Sequence, residues 1–218
     1  ILVASYALSW DDLWLNRGDG TFTDVARDLG FHMDNVPNPA EPPYRYGGNT
    51  FSSSCADYDN DGDLDVFQAE TTHGDYPRST ADRSRILRNT GREGGWVFER
   101  PELSASGINR DLNGTNADGD HGNEGDHGAS WVDLDNDGFT DLCAAGTVWH
   151  NEKGQKFTKL ADGVGLVVAA DFDNDGFPNA YICNLGPNRC YHNNGDGTFS
   201  EVTASAGVAG DEWSLSAA

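Results

Sequence analysis

The chain has 218 residues, 36 acidic against 14 basic side chains, a net charge of −22 and a pI near 4.3, which argues against a nucleic-acid or anionic-membrane footprint and for cations as partners. Glycine at 27 residues and aromatics at 11%, beside a single methionine, favour short strands and tight turns over long amphipathic helices, so the expected class is all-β. The longest apolar runs, "ILVASYAL" and "VGLVVAA", fall far short of the roughly 20 residues that cross a bilayer, so no membrane insertion is expected.

Along the chain, "ILVASY" reads as a strand and "LWLNRGDGTF", ending at Phe22, as two strands about an Asn-Gly turn. "DYDNDGDLD" (Asp57 to Asp65) follows, with five aspartates in nine residues, and returns as "DLDNDGFTD" (Asp133 to Asp141) and "DFDNDGFPN" (Asp171 to Asn179). Between these acidic loops the Asn-turn signature recurs as "ILRNTGREGGWVF", "VWHNEKGQKF" and "CYHNNGDGTF", aligning Asn16, Asn89, Asn151 and Asn193. The repeat unit is therefore acidic loop, strand, Asn turn, strand and return, a pattern of several short strands that reads as propeller blades. Counting from loop to loop gives blade equivalents at about 1–56, 57–132, 133–170 and 171–218, with insertions near 71–85 and 108–128. Ile1 aligns just past an acidic loop and Ala218 just before one, so these four units are expected to be part of a propeller of six to eight blades, a closed four-bladed ring being the alternative.

Aspartates at loop positions 1, 3 and 5 alternate towards one centre, Gly at 6 permits a sharp turn, and a carbonyl at 7 with a carboxylate at 9 completes an all-oxygen shell suited to Ca2+. The expected ligands are Asp57, Asp59, Asp61, the Asp63 carbonyl and Asp65; then Asp133, Asp135, Asp137, the Phe139 carbonyl and Asp141; then Asp171, Asp173, Asp175, the Phe177 carbonyl and Asn179. The neutral Asn179 makes the third site the weakest. An EF-hand is excluded because position 12, where it needs a bidentate Glu, is Gln68, Ala144 and Ile182.

Cys183 and Cys190 flank a Gly-Pro-Asn turn in "YICNLGPNRCYHN", where a hairpin would set them opposite one another as a disulfide candidate; Cys55 and Cys143 read as core thiols. His150 and His192 precede Asn151 and Asn193 and read as parts of the repeat. Trp96, Trp131 and Trp149 fall on strand positions and read as inter-blade core. The insert holding Glu70, His73, Asp75, Tyr76, Arg78, Asp82, Arg83 and Arg85 mixes charge and aromaticity most densely and is the candidate partner surface. The other insert groups Asp118, Asp120, His121, Glu124, Asp126 and His127, compatible with a transition metal or with a solvated acidic loop.

Together "DYDNDGDLD", "NRGDGTFTDV" and "NNGDGTFSEVTASAG" resemble the calcium-binding FG-GAP or VCBS repeats of integrin α-subunit propellers and many secreted bacterial proteins. "QAETTHGDYPRSTADRSRILRN" is further similar to the bacterial branch related to cartilage acidic protein, whose repeats often precede an ASPIC/UnbV module that is not in this sequence. The resemblance implies a β-propeller, Ca2+ in each blade, an extracellular, cell-surface or periplasmic location, and a role in adhesion or in protein or glycan binding. Asn179 and the heavily inserted unit at Asp57 depart from the family pattern. Alternatives are a polysaccharide lyase, for which the sequence presents no catalytic residues beyond an imagined pose of His73 with Arg78, and a self-associating shell or filament component. No nucleophile elbow, His-Glu-x-x-His pair or phosphate loop is present, so no enzyme is expected.

Overall fold

The computed structural model describes residues 1–5, 11–31, 50–70, 84–99, 101, 108, 128–144, 146–162, 165–184 and 186–210. It is all-β: four antiparallel sheets follow one another along the chain. Sheet I holds β1 (Leu2–Val3), β2 (Asp12–Asn16) and β3 (Phe22–Asp24). Sheet II holds β4 (Thr50–Ala56), β5 (Asp65–Glu70), β6 (Arg85–Asn89) and β7 (Phe98–Glu99). Sheet III holds β8 (Ala129–Val132), β9 (Asp141–Ala144), β10 (Thr147–Asn151) and β11 (Phe157–Asp162). Sheet IV holds β12 (Leu166–Ala170), β13 (Asn179–Cys183), β14 (Arg189–Asn193) and β15 (Phe199–Glu201). One four-residue helix, α1 (Thr203–Ala206), closes the described chain and stops at Gly207 in the left-handed region. No described helix is long and apolar enough to cross a membrane.

Sheets II, III and IV share one meander, each strand pairing with its sequence neighbour. Each acidic loop is the connection between the first and second strands of its sheet, so its ninth residue begins the second strand. The aligned asparagine ends the third strand. Period-two alternation sends one set of side chains to each face, and the sheets stack face to face so that both sets are covered. The second strand shows this most clearly, since β9 is buried at all four positions.

Three apolar cores lie between consecutive sheets. Sheets I and II close over Val66, Leu87, Ala26 and Phe31, with Phe31 edge-on to Phe98. Sheets II and III close over Phe67, Ile86, Leu142, Trp149 and Phe157. Sheets III and IV close over Leu134, Cys143, Val167 and Ile182. Tyr58 reaches across the second of these cores to stack on Trp131 at 6.4 Å and tilt against Phe157 at 5.6 Å. First strands also lie side by side, β4 beside β8 and β8 beside β12. The hydroxyl of Ser130 on β8 donates to the Val167 carbonyl on β12, and Trp131 Nε1 donates to the Ser54 carbonyl at 3.4 Å.

Several expectations change here. Trp131 and Trp149 are inter-sheet core, but Trp96 is 47% exposed and sits in the β6–β7 turn with φ of 64°, so it is no strand residue. Cys143 is a buried thiol, whereas Cys55 is exposed. Cys183 and Cys190 are free and not opposite one another: the β13–β14 register pairs Cys190 with Tyr181 and Ile182 with Arg189. That register makes the two cysteines diagonal neighbours, about 7–8 Å apart at Cα, which exceeds ordinary disulfide reach.

Candidate metal centres

The three acidic loops adopt one conformation. In each, the position-1 carboxylate accepts the backbone N–H groups of positions 5 and 6. Asp57 takes Asp61 and Gly62 at 3.0 and 3.0 Å, Asp133 takes Asp137 and Gly138 at 3.1 and 2.9 Å, and Asp171 takes Asp175 and Gly176 at 3.1 and 3.0 Å. The position-5 carboxylate then accepts the N–H of position 7, which is Asp63, Phe139 or Phe177. Position 4 is left-handed in every copy, with φ of 58°, 59° and 59° at Asn60, Asn136 and Asn174, a conformation asparagine tolerates better than most residues. Position 6 sits near φ of 93°, where glycine avoids a Cβ penalty.

This curl gathers carboxylates. Oxygens of Asp57, Asp59 and Asp61 lie within 4.8 Å of one another, as do those of Asp133, Asp135 and Asp137. In the third loop the corresponding group is Asp173, Asp175 and His192 rather than Asp171 with its neighbours. Here Asn179 has turned its amide nitrogen to Asp173 Oδ1 at 3.2 Å, so this loop gathers fewer oxygens than the others.

Position 9 does a second job. Asp65 is fully buried, and its two oxygens accept the N–H groups of Tyr58 and Asn89. Asp141, 1% exposed, accepts from Leu134 and Asn151, while Asn179 accepts from Asn193. The ninth residue thus ties its loop to the asparagine at the end of the third strand. That asparagine replies with its side chain: the amides of Asn89, Asn151 and Asn193 donate to the position-8 carbonyls of Leu64, Thr140 and Pro178. Asn151 and Asn193 also donate across the sheet interface, to Tyr58 and Leu134 at position 2 of the preceding loop.

The electrostatics follow from placing these charges together with few cations. Burial, with the charges of Asp59 and Asp61, pushes the Asp65 carboxyl up to about 7. Burial likewise raises Asp59 and Asp141. Asp59 Oδ1 is buried without a hydrogen-bond partner among the described residues, an orphaned acceptor in the first loop. A hard divalent cation fits this donor set, since it would occupy the orphaned oxygen and offset the mutual repulsion. By contrast, Asp19 and Asp196 in the "GDGT" turns are consumed locally by Thr21 and Thr198, whose side-chain and backbone bonds hold both carboxyls low.

Sequence reasoning read His150 and His192 as parts of the repeat and missed that the residue before each asparagine faces its loop. His150 Nδ1 lies 3.1 Å from Asp141 and 3.5 Å from Asp135; His192 Nδ1 lies 3.0 Å from Asp173. Arg88 occupies the same place beside the first loop and pulls electrostatically on Asp59. The available signal was the alternation of the third strand, which turns the residue before a buried Asn towards its own loop. Of the candidate partner surface, Arg85 is placed on β6 and Glu70 ends β5; His73, Tyr76 and Arg78 lie outside the described residues, as does the whole 118–127 insert.

Residues 171–218 match the model of the FG-GAP-like repeat. No curated protein matches the chain. Among solved structures, an Agrocybe aegerita lectin described as specifically recognising non-reducing terminal N-acetylglucosamine aligns at 16% identity with a TM-score of 0.37. The alignment covers 92% of this chain and 64% of the lectin, so the chain spans less than two thirds of that protein's length.

Proposed function

We propose that this chain is a calcium-stabilised β-propeller segment that works outside the cytosol as a binding module for a protein or glycan. One observation carries the reading: three acidic loops, separated by unequal lengths of chain, fold to the same curl and each sits where two sheets meet. A cation there joins carboxylates that otherwise repel, so its binding energy becomes folding energy and the loops act as cement rather than as catalysts. Extracellular calcium modules bind at roughly 0.1 to 1 mM, a range filled outside cells and nearly empty in a cytosol, which favours an exported location. Sheets stacked face to face in series, with first strands adjacent, are what a propeller requires, and ring closure is part of the proposal. Among the described residues the carboxylates that cluster belong to the loops, which is why the proposal is a binding module and not an enzyme.

The test is thermal unfolding in EDTA and in millimolar calcium. Calcium raising the melting temperature by many degrees supports the reading, and coincident melts contradict it. A glycan array and a pull-down on extracellular proteins, each with and without calcium, would then identify the ligand.

A further inference from the structure

Resting on the cation-loop reading, we infer that the residue just before the repeat asparagine sets which cation its loop accepts. His150 and His192 add a ring nitrogen to the second and third loops, making them mixed nitrogen and oxygen sites for a first-row transition ion such as Mn2+ or Zn2+. Arg88 keeps the first loop an all-oxygen site.

The geometry is convergent. Asp135 belongs to two ligand groups, one with Asp133 and Asp137 and one with Asp141 and His150, so one carboxylate links the imidazole to the loop carboxylates. In the third loop the His192 ring groups with two exposed carboxylates, its Nδ1 3.0 Å from Asp173 Oδ2 and its Nε2 3.9 Å from Asp175 Oδ2. It does so where position 9 is weakest, since the Asn179 amide nitrogen is spent on Asp173 Oδ1 and its oxygen accepts the Asn193 N–H. The ring therefore adds a donor to the one loop that carries an amide instead of a carboxylate at position 9. Both rings are partly buried, with side chains 23% and 32% exposed, and both keep a solvent path for a metal. Imidazole nitrogen favours first-row transition ions over Ca2+, which prefers oxygen throughout. A guanidinium cannot ligate and adds a fixed positive charge, so at Arg88 the same position gives the opposite bias.

The experiment loads the protein with Mn2+ and records electron spin echo modulation, which detects a directly bonded imidazole nitrogen. Wild type should show nitrogen modulation. It should weaken in His150→Gln and in His192→Gln and vanish in the double variant, with Mn2+ affinity at those loops falling by about tenfold or more while Ca2+ affinity stays within about twofold. Arg88→His should add a further nitrogen-bearing site. If the histidines act only as cationic partners of the carboxylates, the Gln variants bind Mn2+ and Ca2+ equally well or better, and that result overturns the inference. Mn2+ bound without nitrogen modulation in wild type also overturns it while leaving the calcium reading intact. Failure of both ions to bind overturns both.

Discussion

The side-chain amide of Asn151 donates over 2.8 Å to the backbone carbonyl of Tyr58, 93 positions earlier and in the acidic loop of the neighbouring sheet. Asn151 is fully buried, donates also to Thr140, and accepts the Gly154 N–H, so one side chain satisfies three backbone groups. Asn151→Ala leaves the buried Tyr58 carbonyl and the two part-buried groups without this partner, and an unmet buried polar group costs about 1–3 kcal/mol. We expect a loss of roughly 3 kcal/mol or more in urea unfolding. Asn16 takes the same place in sheet I but is exposed, and among the described residues its side chain bonds Gly18 alone, so Asn16→Ala should cost less than about 1 kcal/mol.

Gly154 makes a sharper steric test. Its φ is 73°, and a Cβ placed there would lie 2.6 Å from Asp59 Cα, against the backbone of the preceding acidic loop. Gly197, at φ of 83°, has open space around it. Gly197→Ala should cost only the left-handed penalty, about 1–2 kcal/mol. Gly154→Ala should cost clearly more and should also weaken cation binding at the first loop, read by calorimetry.

The loops are also chained directly. Asn60 Nδ2 donates to the Gly138 carbonyl and Asn136 Nδ2 to the Gly176 carbonyl, each at 2.8 Å, so position 4 of one loop grips position 6 of the next. Asn136→Gly keeps the left-handed backbone and removes the grip, and should cost about 1 kcal/mol. Asn174 has the same φ and makes no hydrogen bond among the described residues, so Asn174→Gly should be nearly silent. Equal losses at both positions would show that the bridge contributes nothing.

Much of this was legible in the sequence because a repeat makes each residue its own control. The acidic loops, the aligned asparagines and the strands after Asp65 and Asp141 were all visible from spacing. What stayed hidden depended on register and on neighbours far along the chain. Cys183 and Cys190 look symmetric about their turn, yet hydrogen-bond pairing of Cys190 with Tyr181 sets the register. Trp96 looks like a strand residue by its apolar neighbours, but the β6–β7 turn takes it into the left-handed region. His150 and His192 were seen as members of the repeat; their contact with Asp141 and Asp173 emerges only once the third strand lies beside its loop.

Acid–base linkage offers a test that needs no mutation. An unfolded aspartate titrates near 3.9, whereas burial and the charges of Asp59 and Asp61 raise Asp65 to about 7 in the folded chain. Between those values the folded state holds a proton that the unfolded state has lost, so stability falls as pH rises from about 4 to about 7. Asp59 and Asp141 are shifted in the same direction. In EDTA, urea midpoints should therefore drop across that window. Saturating calcium should flatten the slope, because the cation replaces the proton as the neutralising charge. A slope unchanged by calcium would mean that these carboxylates do not face the ion.

The most direct measurement is a calorimetric calcium titration of the whole chain, paired with the Asp133→Asn and Asp57→Asn variants and with melting curves at each calcium concentration. Three binding events are expected, the third loop the weakest, with one event lost or strongly weakened in each variant and a melting temperature that climbs as the sites fill. Absence of calcium binding at millimolar concentration, or binding that leaves the melting temperature unmoved, would contradict it.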